Sequence, residues 1–261
     1  MNTITDSKQV NLCSSSANVK NGTMNSVMIF NLGGLLKKET YILYNVISVI
    51  HAQIPISYYL VNNYNNVLNL SIGSYTLTNG NYNASTFITM LLAKLPVGFT
   101  LTINSTSGIF TLSYSTNFTI YGSSTCYKLL GLIKSTSYTS TSNTLVMPYP
   151  CNFLGINRLK IKSMVLKTNN IDTNSGGHSD LLTTIPVSNA SGGLIVYTNQ
   201  MNLKNLFDNT NVDYIDITIT DENDNIIDFN NIDVYITLQI DTIRESLQLE
   251  TNLMELLQQN Q

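Results

Sequence analysis

The sequence predicts an all-β fold, a sandwich or barrel, on three observations. Short runs rich in Ile, Val, Tyr and Thr recur along the chain, Asn and Gly break them at close intervals, and only two internal stretches carry a helical period. At 261 residues the chain is long enough for one large β domain or two small ones.

Taken in order, residues 1–23 are Ser/Asn-rich and weakly apolar, and read as a flexible N-terminal arm. Strands are expected at 26–32, 41–54, 57–61, 67–72 and 74–78. A tight hairpin follows, FTLTINS (99–105) against GIFTLSYS (108–115), with Gly108 at its corner, and then a strand over 117–122. NASTFITMLLAKL (83–95) places Phe87, Ile88, Leu91, Leu92 and Leu95 on one helical face, with Asn83 or Ser85 as its cap. TCYKLLGL (125–132) is a second short helix stopped by Gly131. Both helices are too small to form a layer and are expected to plug the ends of a sheet pair. Further strands are expected at 156–168, 193–198, 212–220 and 232–240. In the third of these Ile215, Ile217 and Ile219 alternate with Asp216, Thr218 and Thr220. After it all comes TIRESLQLETNLMELLQQNQ, where Ile243, Leu247, Met254 and Leu257 form an amphipathic helical stripe, either a docking element or a helix folded back on its own domain.

Charged residues are only 11% of the chain, so Asn, Ser and Thr must solvate most of the surface. Such a surface resists association weakly and suits a protein packed against neighbours, although an AT-rich coding bias produces the same composition. Charge is divided along the chain. Residues 1–171 carry 11 cations and two acids, for +9; residues 172–261 carry two cations and 14 acids, for −12. The two parts can attract each other within the fold or across subunits. The cations are too scattered for a nucleic-acid motif. Cys13, Cys126 and Cys151 are odd in number and unrelated in spacing, which points to a reducing compartment rather than a disulfide framework. No apolar run has the length of a membrane span, and the Asn-x-Ser/Thr triplets are what chance delivers in this composition.

Catalysis needs convergent titratable groups, and the sequence supplies few. His51 lies inside the most apolar strand and reads as a hydrogen-bonded core or interface residue. His178 in NSGGHSDLL neighbours Ser179 and Asp180, but triad members meet by tertiary geometry and not by adjacency. No catalytic residue and no cofactor are expected. The metal candidate is DENDNIIDFNNI, with Asp221, Asn223 and Asn225 at positions 1, 3 and 5 of a calcium loop. Ile226 stands where that loop needs Gly and Ile232 where it needs Glu, so the reading is an exposed hairpin turn with no metal.

The stretch TITDENDNIIDFNNIDVYITLQIDTIR resembles the C-terminal signature of penton and related minor capsid proteins of virophages, polinton-like viruses and larger DNA viruses of protists. YNVISVIHAQIPISYYLVNNYNN, GNYNASTF, CYKLLGL and GGHSDLLTTIPV are similar to other segments of that family, so the resemblance spans about residues 40–244. Val234 and Asn231 stand where the family pattern has an aromatic such as Trp and a Gly. The resemblance implies a jelly-roll β-sandwich over 24–241, with room for an inserted subdomain, between the arm and a helical tail at 242–261. It implies a non-enzymatic virion protein, assembled in the host cytoplasm as a homopentamer and packed against the major capsid protein and other minor ones. Interface candidates are then Asp221, Glu222 and Asp224 in the acidic turn, and Ile243, Leu247, Met254 and Leu257 in the tail. The competing binding reading is a jelly-roll carbohydrate module that uses Tyr58, Tyr59, Tyr64, Tyr75 and Tyr82.

Overall fold

The computed structural model describes residues 3–36, 42–166, 168, 171–172, 177–178, 180–207 and 212–245. It divides into two compact units, Met1–Tyr58 with Asn157–Gln261, and Tyr59–Ile156. The first unit opens with β1 (Thr3–Cys13), β2 (Val19–Lys20), β3 (Val27–Leu36) and β4 (Ile42–Pro55). The second holds β5 (Val67–Leu70), β6 (Gly73–Thr76), α1 (Ala84–Lys94), β7 (Thr100–Ile103), β8 (Phe110–Ser113), β9 (Thr119–Ile120), α2 (Tyr127–Leu130), β10 (Tyr138–Thr139) and β11 (Thr144–Val146). The first unit then resumes with β12 (Arg158–Lys162), β13 (Ile171–Asp172), β14 (Gly177–His178), β15 (Leu181–Pro186), β16 (Leu194–Thr198), β17 (Asn205–Phe207), β18 (Val212–Thr220) and β19 (Tyr235–Glu245).

The topology of the first unit is a jelly roll. One sheet runs β1-β19-β4-β16, with β17 also on β4; the other runs β15-β12-β18-β3-β2. Counting only β1, β3, β4, β12, β15, β16, β18 and β19, pairing is antiparallel and nested: first with eighth, second with seventh, third with sixth, fourth with fifth. That is one long ribbon of paired strands wound into two sheets. Period-two burial supplies the core. Val10, Ile47, Val49, Ile236, Leu238 and Ile240 are buried from one sheet, and Met28, Phe30, Ile161, Ile215, Ile217 and Ile219 from the other. Gly33 and Gly34, at φ +52° and +76°, take up the extra residues where the β3–β18 register jumps from Leu36↔Val212 to Asn31↔Tyr214.

The expected N-terminal arm is a strand over most of its length. β1 pairs with β19 from Thr3↔Glu245 to Cys13↔Tyr235. An edge strand needs few apolar side chains, because its backbone pairs on one side and only one face meets the core; Val10 and Leu12 suffice. The strand expected at 57–61 reduces to a bridge between Val61 and Gly80. Asparagine side chains replace its ladder: Leu60 N–H donates to Asn81 Oδ1 at 2.8 Å, and Asn65 Nδ2 donates to the Leu60 carbonyl at 2.8 Å. The final strand starts at Tyr235, because Asn230 and Asn231 turn the chain at φ +50° and +62°. Asn231 thus holds the left-handed conformation that the family pattern fills with Gly. Val234, in place of the aromatic, is buried. β19 continues to Glu245 and includes Ile243, so the expected helix cannot begin at 242; residues 246–261, with Leu247, Met254 and Leu257, lie outside the described residues.

The second unit has its own core. Sheets β10-β9-β5-β6 and β11-β8-β7 enclose Leu68, Leu112, Phe118 and Ile120, together with Phe87 and Leu91 of α1 and Leu129 and Leu130 of α2. The two helices therefore pack in this unit's own core, against its two sheets. Asn83 caps α1 through a reciprocal capping box with Thr86. The β7–β8 hairpin is looser than expected, closing at Ile103↔Phe110 around a loop in which the Asn104 side chain accepts the N–H groups of Thr106 and Ser107. Gly131 ends α2 at φ +75°, and a Cβ there would lie 2.0 Å from the Tyr149 carbonyl oxygen.

Candidate functional site

The acidic turn between β18 and β19 organises itself through Asp221. Its Oδ1 accepts the N–H groups of Asn223 (2.8 Å) and Asn225 (2.9 Å), and its Oδ2 accepts from Asn225 Nδ2 at 2.9 Å. The carboxylate is thus engaged by its own turn, as an aspartate is in an Asx turn. Among the described residues no three His, Cys, Asp or Glu side chains group as metal ligands. Asp224, at φ +65°, reaches Lys162 Nζ at 2.9 Å and Lys160 Nζ at 3.1 Å; Lys162 also reaches Asp180 at 3.3 Å. Glu222 Oε2 accepts the Asn157 N–H at 3.4 Å. The basic strand β12 and the acidic turn therefore meet within one chain. Burial alone would raise the Asp224 carboxyl, but hydrogen bonds and charge from Lys162 and Lys160 hold it below the usual 3.8. Burial alone would lower Lys162, and the bond to Asp224 with the charge of Asp180 leaves it above the usual 10.5.

Two carboxylates missed in the sequence anchor the strands. Asp241 on β19 receives Lys204 Nζ at 2.6 Å, Ser7 Oγ at 2.6 Å and Gln239 Nε2 at 2.8 Å. Against the upward push of burial, these partners, with Lys204 leading, lower its pKa below 3.8. Asp216 takes Ser163 Oγ at 2.7 Å and the N–H groups of Met164 and Val165. No sequence signal marked either one, since an outward Asp fits the alternation as well as Thr does.

Because Asp224 and Asp241 titrate lower in the folded state, their stabilisation is full above pH 3.8 and is lost as pH falls through their lowered values. Urea midpoints are expected to hold level between about pH 7 and 5 and to drop below about pH 4. Asp241→Asn should flatten that drop; an equally steep drop in the variant would show that other carboxyls control it.

Other singled-out residues do not converge. His51 is half-buried on β4, opposite Thr198 and Thr237. His178 pairs with Ile171 in the β13–β14 ribbon. Cys13, Cys126 and Cys151 are free thiols, and burial pushes Cys126 up to about 12. The five tyrosines differ in exposure. Tyr58 is buried edge-on against Phe229, Tyr75 and Tyr82 fold over Gly73 and Gly80, and only Tyr59 and Tyr64 are exposed. No helix of the described residues is long and apolar enough to cross a membrane.

An eight-stranded jelly roll with a separate unit inserted between its third and fourth strands is the class this fold defines. No protein-family model and no curated protein matches the chain. Among solved structures it is similar to the selenomethionine-labelled mavirus penton protein, at 12% identity and a TM-score of 0.47, over 91% of this chain and 99% of that one. It is also similar to a chain of the Sputnik virophage structure, at 15% identity and a TM-score of 0.44, over 93% and 99%.

Proposed function

We propose that this chain is a structural virion protein, a penton or minor capsid protein that builds an icosahedral shell by subunit packing at the five-fold vertex. The nested strand pairing of the jelly roll carries the reading, because three of the segments that resemble the penton family, 44–66, 176–187 and 218–244, fall on it wholly or in part. The polar chemistry fits a structural role: Asp216, Asp221, Asp224 and Asp241 are spent on turns and strand anchors. What faces solvent on the β1-β19-β4-β16 sheet includes Tyr44, Val196 and Tyr235, a half-apolar surface suited to burial between subunits. Ile243 lies opposite Tyr44 in the same sheet and belongs to that contact. The partners are further copies of the chain in a closed ring, and then the major capsid protein.

Light scattering of the purified chain tests this. A pentamer is expected at high protein concentration, and a monomer at every concentration sinks the proposal. Raising salt from about 0.1 M to about 1 M, which shortens the screening length from about 10 Å to about 3 Å, should lower the pentamer fraction. An unchanged fraction would remove the electrostatic contribution and leave the packing role standing.

A further inference from the structure

The inserted unit, Tyr59–Ile156, contains no Asp and no Glu; its charged side chains are Lys94, Lys128 and Lys134. All three are exposed, and their own unit offers no carboxylate to any of them. Two of them share a surface with apolar groups. Lys128 lies on α2, and Ile133 and Lys134 follow directly after its Gly131 cap. A strap runs alongside: Tyr149 N–H donates to the Gly131 carbonyl at 3.2 Å, and Asn152 N–H to the Lys128 carbonyl at 3.1 Å. The strap leaves Tyr149 52% and Leu154 78% exposed, and Ile133, two residues past the Gly131 to which Tyr149 bonds, is 47% exposed. The result is a cationic, apolar patch on a unit without a negative charge. A ligand for it needs carboxylates interleaved with large apolar side chains.

This chain carries such a segment. After Arg244, residues 245–261 contain Glu245, Glu250 and Glu255, no cation, and five leucines with Met254. Sixteen of these residues, 246–261, lie beyond the described part of β19. We propose that the C-terminal segment of one copy docks on the Lys128–Lys134/Tyr149–Leu154 patch of a second copy, its glutamates against the lysines and its Leu/Met side chains against Ile133, Tyr149 and Leu154. The proposal rests on the assembly role above and names one of its contacts. It also gives the acidic end of the chain a cationic partner that the acidic turn, satisfied by Lys160 and Lys162, does not need.

The test uses the full chain with a photo-crosslinking residue at Met254, mixed from isotopically heavy and light preparations. Heavy–light crosslinks from position 254 to peptides spanning 128–154 are expected, and K128E/K134E should cut their yield about tenfold. Adding E250K/E255K in the same chain should restore it. Crosslinks confined to heavy–heavy and light–light pairs, or directed to other peptides, overturn the proposal. So does assembly by light scattering that K128E/K134E leaves unchanged, an outcome that spares the capsid role. A chain that never assembles removes that role and this contact with it.

Discussion

Phe229→Ala is expected to destabilise the jelly roll by about 3–5 kcal/mol, the cost of emptying a fully buried aromatic site. Phe229 is 0% exposed, and its ring meets Tyr58 edge-on with centroids 6.0 Å apart. The surroundings cannot collapse into the space, because the backbone there is pinned from three directions. Phe229 N–H donates to the Met24 carbonyl at 2.9 Å, Ser57 Oγ donates to the Phe229 carbonyl at 2.7 Å, and Asn231 N–H donates to the Thr23 carbonyl at 2.7 Å. The segment thus clamps the lead-in to β3 and the end of β4 together. Urea unfolding should show a lower midpoint at unchanged slope, and hydrogen exchange should quicken in β3, β18 and β19. A loss below about 1 kcal/mol would mean that the ring is not part of the core.

Phe87→Ala should cost the inserted unit about as much, about 3–5 kcal/mol, toward the upper end. Phe87 is 0% exposed and packs on Phe153 (5.2 Å), Phe110 (6.0 Å) and Tyr82 (6.4 Å). One side chain therefore joins α1 to β8 and to the strap that ends at Leu154. For a unit whose total stability is on the order of 5–15 kcal/mol, that is a large fraction. Exchange should accelerate across residues 59–156 while the β4–β19 ladder stays protected. Phe87→Leu, which keeps most of the volume, should cost under about 1.5 kcal/mol. Equal losses for the two variants would contradict the packing account.

The long elements were legible because their signals are local. The alternation of Ile215, Ile217 and Ile219 placed β18, and Asn83 with the Phe87/Leu91 spacing placed α1 to within a residue. β1 was hidden because an edge strand is stabilised by backbone pairing, which leaves no compositional mark. The 57–61 segment misled for the converse reason: its β-branched and aromatic side chains read as strand, but asparagines at 65 and 81 captured its backbone.

The candidate site divides in the same way. The missing Gly and Glu of DENDNIIDFNNI already spoke for a turn over an ion loop, and the Asp221 hydrogen bonds supply the geometry. That Asp224 would meet Lys160 and Lys162, and Asp241 would meet Lys204, was not legible, because each pair depends on which strands lie side by side. The sequence by itself determined the β class, the turn chemistry and the division of charge, since propensity, turn geometry and charge belong to single residues and near neighbours. Only the tertiary structure decided the nested pairing, the inserted unit and the partner of each charge. Those depend on contacts between residues far apart in the chain, such as Ser7 with Asp241, which no local pattern encodes.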